Sequence, residues 1–294
     1  MEGNMTSNSP FSLDNSDAYA RWREQKLKSA QMAPEVTLNP LSLKGSQVEA
    51  LKKNCREQNF SLFSFDHTPK HAEIAIHQLG LALGLNDIDN NLCAEDSGIT
   101  EIRVKETSTD NVYIPYTNRP LGWHTDGYYN MPNQQIHGWL LYCGHPAIEG
   151  GINGLINHEL IYIKLRDQNP EWIAALMASD AFTIPGNVEG GKVIRGDSVG
   201  PVFSINPDGH SLHMRYSARQ RNVQWKDDAN TQAAASAILD LLNSDDDHIL
   251  HLTLEQGQGI ISNNVLHNRS SFTDSDDPSQ RRVIYRARYH NRVA

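Results

Sequence analysis

Cysteine is scarce in this 294-residue chain: there are three, Cys55, Cys93 and Cys143. The number is odd, the spacings are long and no CxxC pair occurs. A disulfide framework and a cysteine-built zinc site are therefore excluded, and a reducing compartment fits. Long apolar runs are missing as well. No stretch approaches the roughly 18 residues that a membrane span needs. The opening MEGNMTSNSPFSLDNSD has no basic segment ahead of an apolar one, so it does not read as a signal peptide. Positive charge is in deficit: 26 Lys and Arg stand against 35 Asp and Glu, a net charge of −9. That balance repels phosphate backbones and argues against a general nucleic-acid binder, although a local basic patch can still hold a small anion. The expectation is a soluble, cytoplasmic protein with neither nucleic acid nor membrane as a partner.

What is present is enough apolar sequence, 38% of the residues, for a sizeable core. Residues 1–15 read as too polar to pack and are expected to be disordered, which leaves 16–294 as a single domain. Ser16 opens a helical pattern with Tyr19, Trp22 and Leu27 near one face. SQVEALKKNCREQN and PKHAEIAIHQLGLALGL read as two more helices, with FSLFSF as a strand between them and GITEIRV as a strand after them. From about residue 112 the texture becomes short strand-like runs separated by turns: QIHGWLLYCG, AFTIPG, PVFSI, HSLHMRYS, HILHLTL, GIISNNVL and RRVIYRARYH. One helix, TQAAASAILDLLNS with Thr231 as its cap, interrupts them. Many short strands with Gly- and Pro-containing turns point to a sandwich, barrel or jelly roll. GNVEGGKVIRGDSVG, glycine-rich and charged, reads as a mobile lid more than a strand.

Three pieces carry chemistry. In LGWHTDGYYN, His124 and Asp126 are two apart, so on a strand both side chains point to one side and can share a cation. The alternative is a polar surface turn. Trp123, Tyr128 and Tyr129 beside the pair favour a lined pocket. Downstream, the apolar run of GIISNNVLHNRSSF ends at His267, with Asn264 close by. Alone it reads equally well as a satisfied core histidine, as His71, His77 and His158 read as helix or loop-surface residues. In QRRVIYRARYH, Arg282, Arg286 and Arg288 share one strand face and Val283, Tyr285, Ala287 and Tyr289 the other. Such a face is either solvated or turned into a cavity, where a guanidinium needs an anion and a carboxylate fits bidentately. Two histidines and one carboxylate make a facial triad that leaves metal positions open, which suits non-haem Fe(II).

In this order the motifs resemble the Fe(II)/2-oxoglutarate-dependent oxygenases of the taurine dioxygenase (TauD/TfdA) and clavaminate synthase-like family. WHTDGYY, EGGINGLINHE, GPVFSINPDGHSLHMRYSARQ, GQGIISNNVLHNRSSF and QRRVIYRARYH match over roughly residues 112–292. The resemblance implies a mainly β fold with flanking helices. Its core is a double-stranded β-helix, or jelly roll, over 112–294, with a helix-rich front part, 16–111, packed outside. It implies Fe(II) held by His124, Asp126 and His267. Arg282 falls where the family grips the distal carboxylate of 2-oxoglutarate. Arg286 falls where it contacts the metal-side carboxylate or an anionic substrate. Family members usually carry GGDT where this chain has GGIN, so Asn153 stands in for a threonine that assists the cosubstrate. The implied reaction consumes O₂ and 2-oxoglutarate, yields succinate and CO₂, and hydroxylates a small, anionic molecule. Asp126 argues against a halogenase, which has a small residue there. Tyr128, Tyr129, Asn264, Arg215 and Arg288 are the expected substrate contacts. A non-catalytic metal- and 2-oxoglutarate-binding sensor on the same fold is the alternative from another class. A zinc hydrolase leaves the arginine strand unexplained. The N-terminal helix is able to cover the barrel or a second copy of the chain, so a homo-oligomer stays open.

Overall fold

The computed structural model describes residues 9–89, 98–104, 113–219 and 223–294. Among the described residues six α-helices run in chain order: α1 Ser16–Lys28, α2 Gly45–Gln58, α3 Ala72–Ala82, α4 His158–Gln168, α5 Pro170–Leu176 and α6 Ala229–Leu242. The described chain packs as two units. One contains residues up to 31, 123–135 and 156–249; the other contains 32–122, 136–155 and 250–294. The fold is a mixed arrangement of helices and many short strands. No described helix is long and apolar enough to cross a membrane.

The second unit is built on a six-stranded sheet. Its order is Val36–Leu38, Phe60–Phe65, Gln258–Ser262, Gly138–His145, Val283–Tyr289, Ile99–Ile102. The first two strands are parallel and the others antiparallel. Strands from either side of residue 112 thus share one sheet. Side chains alternate between its faces, as the pleat requires. Leu140, Tyr142, Ile261, Ala287 and Tyr289 enter one buried cluster with Leu51 of α2 and Leu79 of α3. Trp139, Cys143, Ile260 and Ile284 enter a second cluster with Leu155 and Val265. Of the C-terminal strand, Ala287 and Tyr289 enter the first cluster with Tyr285 packed against it, and Ile284 enters the second. The pairing register shifts between Val283 and Ile284, so the regular alternation starts at Ile284. Gly259 fits because any Cβ there would run into the Phe63 ring. A second sheet has the order Leu250–Leu252, Asn153–Ile156, Leu266–Arg269, Leu121–His124. A two-stranded ladder pairs Phe272 with Gly150.

The first unit gathers α1, α4, α5 and α6 around short strands. Disorder over 1–15 is corrected for the described part, 9–15. Phe11 is fully buried and meets Trp22 and Tyr162 edge to face, with centroids at 5.1 and 5.8 Å. Arg166 of α4 donates to the carbonyls of Pro10 and Ser12 at 2.8 and 2.9 Å and stacks on Tyr19. One aromatic residue and two satisfied carbonyls suffice to dock a polar segment, which composition does not reveal. The caps also shift. Asn15, not Ser16, accepts from Ala18 N, and Asp228, not Thr231, accepts from the first turn of α6.

Two helices, α4 and α5, escape the sequence reading. Eight residues of α4 are buried, from His158 to Arg166, Lys164 excepted. A helix wrapped on most sides loses the 3.6-residue signal, and its LIYI run reads like a strand. His158 is therefore a buried residue, with Nε2 2.8 Å from the Leu212 carbonyl, and not a surface one. The glycine-rich 186–200 segment is also corrected. Asn187–Glu189 and Lys192–Arg195 pair antiparallel across Gly190 and Gly191, whose φ angles of 56° and 80° supply the left-handed residues of a tight hairpin turn.

Candidate metal and cosubstrate site

The HxD segment is held by its backbone neighbours. His124 ends the strand Leu121–His124 and forms a bridge with Ser217. Thr125 N donates to the Tyr216 carbonyl at 3.0 Å, and Tyr216 N returns a bond to Thr125 Oγ1 at 3.1 Å. Thr125 is thereby committed to the backbone, and its neighbours on either side project to the other face. Asp126 is followed by Gly127 at φ 65°, which turns the chain so that Asn130 N reaches the Gly127 carbonyl. His124 and Asp126 are 8% and 5% exposed, with Nε2 and Oδ1 3.7 Å apart.

His267 sits on the strand Leu266–Arg269. Its Nδ1 lies 3.0 Å from the Val265 carbonyl, and the Trp139 ring packs at 4.8 Å. With Nδ1–H donating, Nε2 carries the lone pair, which is the tautomer a metal requires. One ligand atom from each of His124, Asp126 and His267 lies within 4.8 Å of the other two. Two cis ligands about 2.1 Å from one ion are about 3 Å apart, so these three atoms lie near the separation that one cation asks of its ligands. Two imidazoles and one carboxylate fit Fe(II) by donor type as well.

The arginines divide. Arg282 is buried with its guanidinium over the Phe272 ring at 4.9 Å, and its backbone N donates to Asp274 Oδ1 at 2.7 Å. Burial lowers its pKa, while Cys143 and Asp274 act in the opposite direction. Gly151 lies against it, with space for a Cβ 3.6 Å from Nε. Arg286 faces Leu141 and Thr100 across its two neighbouring strands. The structure gives Arg215 and Arg288 other partners than a substrate. Arg215 donates to the carbonyls of Phe182, Ser198, Gly200 and Pro201, and burial pulls it down to about 10. Arg288 pairs with Asp89. Asn153 Nδ2 points at the carbonyls of Gly151 and Leu252, at 3.3 and 3.4 Å. Asn264 is fully buried at φ 58°, a left-handed position that asparagine tolerates, with Nδ2 2.6 Å from the Ile136 carbonyl. Tyr128 and Tyr129 are half-buried. They stack edge to face at 5.2 Å, and Tyr128 meets His124 at 6.4 Å.

One residue missed in the sequence is Arg269. It is 6% exposed and lies over the same Phe272 ring at 4.7 Å. Burial, and then the charge of Arg282, pulls it down to about 10. Its place two residues after His267 on a strand was the available signal, since i and i+2 share a face.

Known proteins resemble the chain in three ways. The family model for taurine catabolism dioxygenase TauD, TfdA family, matches residues 25–288. A uridine-5'-phosphate dioxygenase from a Streptomyces species is 31% identical over 206 residues, 67% of this chain and 70% of the relative. Another, from an Amycolatopsis species, is 28% identical over 245 residues, 80% of this chain and 86% of the relative. Among solved structures, the non-heme iron oxygenase OrfP in complex with Fe, succinate and (3S)-hydroxy-L-Arg superposes with a TM-score of 0.61. Its identity is 16%, and the match covers 92% of this chain and 84% of that one. Asparagine oxygenase in complex with Fe(II), 2S,3S-3-hydroxyasparagine and succinate gives a TM-score of 0.56 at 13% identity, covering 94% and 92%. Likeness at those identities speaks for the fold, which is that of non-haem iron oxygenases. The chain belongs to the TauD/TfdA family of Fe(II)- and 2-oxoglutarate-dependent dioxygenases, and it is an oxidoreductase.

Proposed function

We propose that the protein hydroxylates a small phosphorylated nucleoside, or an anion close to it, with His124, Asp126 and His267 as the iron ligands and Arg282 as the anchor for 2-oxoglutarate. The observation that carries this reading is the grouping of three ligand atoms of the right type within 4.8 Å. Two relatives described as uridine-5'-phosphate dioxygenases support the substrate class. A double-stranded β-helix is the architecture that goes with this reading, and the cytoplasm is its compartment.

The residues divide the work. His124, Asp126 and His267 would hold the iron through two imidazoles and one carboxylate, a donor set that suits a metal working with a cosubstrate and O₂. Arg282, buried and stacked, offers a fixed fork to the distal carboxylate of 2-oxoglutarate. Trp139 and the cluster behind it exclude water from the His267 side. Tyr128 and Tyr129 form the wall that a substrate meets, and Arg286 offers a cation to its anionic group. When bound, the iron supplies O₂ activation coupled to loss of CO₂ from 2-oxoglutarate and to oxidation of a substrate C–H bond.

The test is succinate release by Fe(II)-supplied protein against a panel containing uridine 5'-phosphate, other nucleoside monophosphates, free uridine, taurine, asparagine and arginine. The proposal expects succinate and oxidised product in equal amounts with a nucleoside monophosphate, and much less with free uridine. Coupled turnover with an amino acid and none with a phosphate ester would overturn the substrate class.

A further inference from the structure

Arg269 and Arg282 present an unusual pair. Both are more than nine-tenths buried, at 6% and 8% exposure. Both guanidiniums lie over the ring of Phe272, at 4.7 and 4.9 Å, so the two cations are within about 10 Å of each other, the sum of those distances. Among the described residues, neither guanidinium forms an ion pair with a carboxylate. Asp274 spends Oδ1 on the backbone N–H groups of Ser275 and Arg282, at 3.1 and 2.7 Å, and Asp274 Oδ2 is buried without a hydrogen-bond partner.

The backbone fixes this pair rigidly. Arg269 donates from one terminal nitrogen to the carbonyls of Thr117 and Arg119, while its Nε is buried without an acceptor. Carbonyls satisfy donors but leave the positive charge uncompensated. Phe272 is held by the Gly150 ladder, and a Cβ on Gly151 would rest on both Phe272 Cβ and Arg282 Nε. Two like charges in a shared low-dielectric setting repel, and an anion of more than one negative charge relieves that strain better than a monoanion.

We propose that Arg269 is a second cationic residue of the cosubstrate site, acting with Arg282 across Phe272 so that the pair selects a 2-oxo acid bearing a distal carboxylate. The proposal rests on the reading that Arg282 anchors the distal carboxylate of 2-oxoglutarate. Arg269 contributes its charge there, while the Thr117 and Arg119 carbonyls only hold its plane.

The experiment compares binding of 2-oxoglutarate with binding of 2-oxopentanoate, which has the same carbon chain without the distal carboxylate. Titration calorimetry on Mn(II)-supplied full-length protein gives the ratio of the two dissociation constants without turnover. Arg269→Gln is expected to weaken 2-oxoglutarate about tenfold and 2-oxopentanoate less than about twofold, a loss typical of a charged partner. Arg269→Lys, which keeps the charge and breaks the carbonyl anchors, should keep the ratio within about threefold of the wild type. Equal weakening of both acids in Arg269→Gln, or no weakening, overturns the proposal. Should Arg269→Gln not fold, Arg269→Lys decides alone: a tenfold loss of the ratio with the charge still present overturns it, and a retained ratio supports it. Arg282→Gln separates the underlying reading. If it leaves the ratio intact, the anchor assignment is wrong; if it abolishes the ratio while Arg269→Gln does not, only the role of Arg269 is wrong.

Discussion

Gly150→Ala tests the architecture around Phe272 most severely. Gly150 has φ 78°, where an L-residue costs about 1–2 kcal/mol. Its added Cβ would collide with the Ser271 carbonyl oxygen and come within 3.1 Å of Phe272 Cα. Backbone atoms cannot swing aside as a side-chain tip can, so overpacking adds about 1–3 kcal/mol. Gly151→Ala is the matched control. Its φ is 68°, but its Cβ would meet Arg282 Nε and Phe272 Cβ at 3.6 and 3.7 Å, which is ordinary contact. It therefore carries the conformational term alone. An unfolding entropy of about 2.1 cal/mol/K per residue over this chain makes 1 kcal/mol worth roughly 1.6 °C. Gly151→Ala should melt about 2–3 °C below the wild type and Gly150→Ala about 3–8 °C below it. Because the shift moves Phe272 under Arg269 and Arg282, Gly150→Ala should also lose affinity for 2-oxoglutarate, read by titration calorimetry. The reasoning is refuted if Gly150→Ala melts no lower than Gly151→Ala.

Phe11→Ala should cost about 3–5 kcal/mol, because Phe11 is fully buried between Trp22 and Tyr162; urea denaturation gives the value, and a change under about 1 kcal/mol contradicts the docking of residues 9–15. Burial pushes the thiols of Cys55 and Cys143 up to about 12, so neither should react with a disulfide reagent at pH 8 until the protein is unfolded, and rapid labelling of Cys55 in native protein would contradict its burial. The same two thiols keep their protons in the folded state above the ordinary value of 9.0. Their contribution to stability is therefore flat below about pH 9 and falls as the pH rises from there toward 12, a decline that chemical denaturation should find reduced in Cys55→Ala.

The chain makes some of this legible and hides the rest for physical reasons. His124 and Asp126 stand out because an i, i+2 pair on an extended segment shares one side, although the strand itself ends at His124. Along VIYRARY the alternation sends Tyr285, Ala287 and Tyr289 to one core cluster and Ile284 to the other. Arg215 and Arg288 look equally functional in sequence. Their partners are backbone carbonyls at 182–201 and Asp89, and no local pattern encodes such long-range pairing. Arg269 reads as a polar residue after a histidine, and its burial is set by Phe272 and by a loop about 150 residues earlier. Helix α4 is hidden because burial on most of its surface erases periodicity, and the hairpin at 187–195 because its two glycines and charged residues mimic a loose loop.

The most direct measurement is anaerobic equilibrium dialysis of Fe(II), in the presence of 2-oxoglutarate, against the wild type and Asp126→Ala, with folding checked by circular dichroism. Removing one of three ligands costs more than the roughly ten- to hundredfold typical of outer partners. The account predicts one Fe(II) per wild-type chain and a loss of binding by more than about a hundredfold in folded Asp126→Ala. Undiminished, stoichiometric Fe(II) in that variant would contradict it.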